Sequence, residues 1–199
     1  MNLLLSNAYH LYWLGRYMQR TTCLNERSHN NHPSALFPML RHVGFQNPIN
    51  QHNFTHHINT EVIPEYLALI NDNFQAVRGV IEDEAFELFQ LMNRLNQSGS
   101  LQSACFQIRA CDAAMHAHAA PVSTFWLLGH AVETIDERLR YGDIQDQDLR
   151  IFADAVTRLP TFSAWEALKQ PAQALVYLAS SQKFYQLTAQ LETLFEDGL

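Results

Sequence analysis

Apolar residues along this chain recur three and four positions apart, the spacing of one face of an α-helix, and no stretch alternates in the two-residue rhythm of a half-buried strand. Ser6 is placed to cap a first helix running to about Arg27, with Tyr9, Trp13, Arg16, Arg20 and Arg27 along one stripe. Pro33 is expected to open a short helix through Val43, ended by Gly44. The polar stretch from Phe45 to His57 reads as a loop. Thr60 then precedes a long helical pattern, Glu61 to about Ile81, with Pro64 in its first turn, where a missing N–H breaks no helical bond.

The pattern continues in the same manner to the end. Asp83 to Asn96 is amphipathic, Gln97-Ser98-Gly99-Ser100 is a turn, and the Ala-rich stretch from Leu101 to Ala119 predicts a closely packed helix. Pro121 and Ser123 start another that reaches about Arg140 and stops at Tyr141-Gly142-Asp143. A shorter helix covers about Gln147 to Arg158, ended by Pro160, and Pro171 is expected to open a terminal helix to about Phe195. The fold class is therefore all-α: a bundle of about seven to nine helices.

Composition narrows the function classes. The 199 residues suit one domain, and 47% apolar content supplies a core and excludes a disordered chain. Thirteen Lys and Arg against 20 Asp and Glu leave a formal charge of −7, which argues against a nucleic-acid partner, whose phosphates need cationic surface. Cys23, Cys105 and Cys111 form no CxxC pair and are odd in number, as expected of unpaired thiols in a cytoplasmic protein. Asn7, His10 and Arg16 interrupt the apolar N-terminus before a membrane span is complete, so no membrane partner is expected.

Two segments repeat each other. Gly15 to Gln19 and Gly129 to Glu133 take the same four-residue step, each preceded by a Trp and a Leu. Glycine inside a helix costs about 1 kcal/mol relative to Ala, and close approach of two helices is the natural return on that cost. Helices crossing at Gly15 and Gly129 would bring Arg16 and Arg20 near His130, Glu133 and Glu137. Such a cluster is either an ion-pair network that sets helix register or the centre of a reaction.

The first of these segments, Leu11-Tyr12-Trp13-Leu14-Gly15-Arg16-Tyr17-Met18-Gln19-Arg20, resembles the opening signature of the bacterial Alpha-E family, L-Y-W-L-G-R-Y-L-E-R, with Gln19 in place of Glu. Asn73 to Arg78, followed by Glu84, Phe86 and Glu87, resembles the family's middle helices. Phe125 to Asp136 resembles its second L-G-R-Y-L-E-R-A-D element, with His130 and Thr134 replacing arginines. One element thus keeps the Arg of the family's Glu-Arg pair and the other keeps the Glu. The resemblance implies an Alpha-E-like core at about 3–140, followed by C-terminal helices at about 145–196, within a single domain 1–199. It also implies a setting beside circularly permuted ATP-grasp ligases or peptidases, in peptide synthesis or modification.

Two function classes follow. In one, the chain is a non-catalytic or accessory partner binding an ATP-grasp-type ligase or its peptide substrate. In the other, it is a small helical enzyme using Arg16, Arg20, His130 and Glu133 as candidate catalytic residues. Trp13, Arg78, Glu84 and Glu137 are the candidate binding residues in either case. Incomplete Glu-Arg pairs beside retained Gly and Trp positions favour the partner. A metal-dependent helical oxidase is a third reading, resting on Glu26-x-x-His29 and the six histidines between His29 and His57; no second Glu-x-x-His unit completes a di-iron set. Cys23 lies beside the arginine stripe, where a cation could lower its pKa, but without a recognisable His partner or oxyanion donors a buried structural cysteine is the favoured reading. No cofactor is expected, since no Walker-type or dinucleotide glycine loop occurs.

Overall fold

The computed structural model describes residues 3–30, 56–95, 100–161 and 163–196. Eight α-helices and no strand occur among them, in the order α1 (Leu5–Asn30), α2 (Ile63–Val77), α3 (Asp83–Leu95), α4 (Leu101–Ala117), α5 (Val122–Tyr141), α6 (Asp146–Thr157), α7 (Glu166–Tyr177) and α8 (Ser181–Glu196). The helix expected from Pro33 to Val43, most of the loop expected from Phe45 to His57, and residues 97–99 of the expected turn lie outside the described residues.

The centre of the bundle is α5, which buries residues on every side: Phe125, Trp126, Leu128, Val132 and Ile135, and with them Glu133, Asp136 and Glu137. Its main partner is α1, whose buried side carries Leu11, Tyr12, Leu14 and Met18. The two run in the same direction, since residues 15, 20 and 27 of α1 meet successively later residues of α5. Both glycines lie in their contact. A Cβ on Gly15 would stand 2.1 Å from the Trp126 carbonyl oxygen, and one on Gly129 would stand 1.9 Å from that of Tyr12. Any larger residue at either position would push one backbone off the other, which is why the helices tolerate two glycines. Around this pair, α2 and α4 pack on α1, α6 packs on α5, and α7 and α8 close the far side. A single apolar cluster runs from Ala8 in α1 to Phe195 in α8.

Local chemistry explains several ends. Gly142 closes α5 at φ 69°, with its N–H donating to the Arg138 and Leu139 carbonyls. Ser100 caps α4, its hydroxyl oxygen accepting from the Ser103 N–H at 3.3 Å. Asp148 in the first turn of α6 accepts from the Gln145 N–H at 2.9 Å and pairs with Arg138 at 3.0 Å.

Three helix starts need correction. Ser6 does not cap the first helix: α1 already includes Leu5, and Ser6 lies within its first turn. Pro171 does not open the terminal helix; it lies inside α7, and the chain breaks at residues 178–180 before α8. Proline at that position removes one helical N–H, and burial of Leu168, Ala172 and Leu175 along one face outweighs the loss. The new start is Ser180, whose hydroxyl oxygen accepts from the Lys183 N–H at 3.3 Å. Nor does the second helix begin after Thr60: the chain is already helical from residue 56. Thr60 sits in a π-helical turn, Ile58–Val62, that leads directly into α2, and its hydroxyl donates to the His56 carbonyl at 2.8 Å.

Candidate functional site

The stripe Arg16, Arg20 and Arg27 on α1 faces Glu133 and Glu137 on α5 along their line of contact. Arg20 grips Glu133 with two N–H groups, Nε to Oε1 at 2.6 Å and Nη2 to Oε2 at 2.8 Å, the planar fork geometry of the strongest protein ion pairs. Arg16 adds a third bond to the same carboxylate, Nε to Oε2 at 3.0 Å, and reaches Glu192 of α8 with Nη1 at 2.9 Å. One turn further along α5, Arg27 holds Glu137 with Nε at 2.5 Å and Asp143 with Nη2 at 2.7 Å. Asp136 completes the cluster: it bonds Arg140, accepts from the Tyr185 hydroxyl at 2.9 Å, and lies 3.7 Å from Arg16.

Aromatic rings cover the cations. The guanidinium carbon of Arg16 stands 4.9 Å from the Trp13 ring centre, that of Arg20 5.6 Å from Tyr17, and that of Arg27 4.2 Å from Tyr141. Trp13 and Tyr17 stack on each other, so the candidate binding residue Trp13 already rests on groups of its own helix. Glu133 is buried, its side chain 2% exposed. Burial alone pushes its carboxyl up, but the charges and hydrogen bonds of Arg20 and Arg16 outweigh that and hold it below its ordinary value. Each cation of the stripe therefore has a carboxylate, and the buried carboxylate is ionised.

His130 shares α5 with Glu133 but not its neighbours. Its ring packs against Trp126, 5.5 Å between centres, and His116 of α4, 6.5 Å away. Burial, with His116 adding to it, lowers His130 to about 4, so it is neutral at physiological pH. Arg78 ends α2 and Glu84 begins α3, both exposed and without a charged partner among the described residues, apart from the cluster. Glu26 is exposed on α1, while the side chain of His29 lies outside the described residues. No group of three metal-ligating side chains occurs among the described residues. Cys23 is the buried structural thiol that the sequence favoured: burial, reinforced by Glu137, Glu133 and Glu26, raises it well above the ordinary value. Burial likewise pushes Cys105 and Cys111 up to about 12.

Sequence reasoning placed Arg16, Arg20 and Glu133 together and missed four members. Arg27 was legible as part of the stripe; its partner Asp143 follows Gly142, the residue that turns the chain back toward α1. Glu192 and Tyr185 had no such signal, because α8 reaches the site only through tertiary packing, whereas Asp136 lies on α5 three residues after Glu133. No protein-family model, curated protein or solved structure matches the chain. No helix among the described residues is long and apolar enough to cross a membrane.

Proposed function

We propose that this protein is a non-catalytic helical partner in peptide synthesis or modification, binding an ATP-grasp-type ligase or its peptide substrate. The observation that carries the non-catalytic half is that the candidate catalytic arginines are already paired. Arg20 and Arg16 both bond the buried Glu133, and Arg16 also bonds Glu192. A site that stabilises charge on a substrate keeps donors free and aimed at where that charge develops. Arginines bonded to the protein's own carboxylates instead set the register of two helices. The thiols are protonated, and His130, lowered to about 4, is a weak base that packs against Trp126 and His116 and makes no bond to the cluster among the described residues. The ligase or peptide as partner rests on the resemblance of Leu11 to Arg20 and Phe125 to Asp136 to Alpha-E signatures.

The test is to co-express the chain with an ATP-grasp ligase encoded beside it and purify through a tag on either. A stoichiometric complex, with no ATP turnover by this chain alone, is the expected result. Robust ATP hydrolysis by the isolated chain, or failure of the two to associate at micromolar concentration, would count against the reading.

A further inference from the structure

A cleft of about 280 Å³ lies between the N-terminal half of α1 and the middle of α2. Tyr9, Trp13 and Tyr17 supply its α1 wall, one ring per turn of helix, and each of the three is half-buried. Trp13 and Tyr17 lie 28° from parallel with centres 5.6 Å apart, and Tyr9 is turned 64° to Trp13 at 6.2 Å. The rings therefore make two walls at an angle. The Trp13 indole nitrogen is buried, so that ring shows carbon surface to the cleft. Core aromatics are covered by other apolar groups, whereas these three stay partly open across a concavity.

The facing wall, on α2, holds Leu69, Asp72 and Asn73. One hydrogen bond ties the walls together and fixes a tautomer. Asn73 donates from Nδ2 to the Leu69 carbonyl at 2.8 Å, a group that can only accept. The Asn73 atom 3.0 Å from His10 Nδ1 is therefore its carbonyl oxygen, so Nδ1 donates and Nε2 keeps its lone pair in the neutral ring. Asp72 stands exposed at the rim, with no ion pair among the described residues. His10 and Asp72 thus offer acceptors, and no Lys or Arg belongs to the lining. Arg16 and Arg20 reach Trp13 and Tyr17 from outside the cleft, and Glu133 answers both.

Such a lining has nothing to hold an anion. A bare ammonium needs an acceptor for each of three N–H groups, more than His10 and the rim carboxylate supply. Methyl groups on the nitrogen spread the charge over carbon surface, which packs on aromatic rings and is attracted by them. We propose that the cleft binds a methylated ammonium head group, seated against Tyr9, Trp13 and Tyr17, with Asp72 balancing its charge at the rim. The site needs no partner protein, so it stands or falls separately from the partner reading.

The test titrates the isotope-labelled full chain at pH 8 and constant ionic strength, by NMR. The probes are choline, its uncharged isostere in which a tert-butyl group replaces trimethylammonium, and the amide of Nα-acetyl-trimethyllysine. Choline or the lysine derivative is expected to give saturable shifts confined to the cleft, with a Kd at or below about 1 mM. The isostere should bind about tenfold more weakly, having the shape without the charge. Whichever ammonium binds tighter tells whether the head group arrives on a free molecule or on a peptide side chain. Tyr17→Leu should weaken binding about threefold or more, and Tyr17→Phe, which keeps the ring, by less than about twofold. Asp72→Asn, an exposed change, should weaken it about twofold and reduce its dependence on salt. Choline against its isostere is measured on the wild-type chain and decides the matter even where a variant folds poorly. The proposal is overturned if neither ammonium saturates, if the isostere binds as tightly, or if the shifts map outside the cleft.

Discussion

Glu133 is the residue on which the α1–α5 contact turns. It accepts three hydrogen bonds from two arginines in a site where its side chain is 2% exposed. Glu133→Gln leaves two guanidiniums short of a partner at once and is expected to cost about 3–5 kcal/mol, measured by denaturant unfolding. Arg20→Met should cost less, because Arg16 still answers the carboxylate. The double variant should cost less than the two singles together, since Arg16 then keeps Glu192 and no buried carboxylate remains unpaired. Single effects within about 0.5 kcal/mol of wild type would mean that both groups are solvated. Glu192, 37% exposed, gives the contrast: Glu192→Gln should cost about 1 kcal/mol or less, because water replaces what it loses.

At the scale of helices, the crossing of α1 and α5 depends on missing side chains. A methyl at Gly15 or Gly129 would fall within about 2 Å of a backbone oxygen of the other helix, a contact no side-chain rotation relieves. Gly15→Ala is therefore expected to destabilise by about 3 kcal/mol or more even though alanine favours helix. Gly15→Ala with Gly129→Ala should cost less than the sum of the two, because the first substitution already parts the helices that the second would part. Thermal unfolding of the three variants checks this, and strict additivity would mean that the two glycines do not share one contact. Parting the helices also stretches the Arg20–Glu133 pair, so packing and electrostatics fail together here.

For the molecule as a whole, two buried groups shape stability against pH in opposite directions. Burial, with His116, lowers His130 from 6.5 to about 4. Below pH 6.5 the unfolded chain takes up that proton and the folded chain does not, so stability falls as pH drops from about 6.5 to about 4, by a few kcal/mol. Asp112 on α4 works the other way. Burial, against the pull of Arg109, raises it from 3.8 to about 7, and its Oδ1 has no hydrogen-bond partner. Between those values the unfolded chain has released a proton that the folded chain retains, so stability falls as pH rises through that range. Because the two windows overlap and their signs oppose, His130→Gln should make stability fall more steeply as pH rises between about 4 and 6.5, and Asp112→Asn should make it rise with pH over the same range, read from denaturation midpoints between pH 4 and 8. If neither variant changes its slope, both side chains are hydrated in the folded protein.

Helix content, the Gly15–Gly129 crossing and the Arg–Glu133 contact were legible in the sequence, because each follows from periodicity along a single helix. Spacing of three and four puts Trp13, Arg16 and Arg20 on one stripe and Glu133 and Glu137 on another, and opposite charges on apolar faces are stable only when they meet. Local signals also misled. Pro171 reads as a helix start, yet burial of Leu168 and Leu175 carries α7 through it. His130 falls on the stripe of Glu133 but turns to Trp126 and His116, a choice that belongs to the packing of α4. The sequence by itself determined that the chain is helical and which faces of α1 and α5 carry charge, since both depend on residues within a turn or two of one another. Only the tertiary structure decided that Glu192 and Asp143 join the cluster, because those neighbours come from segments far apart in the chain.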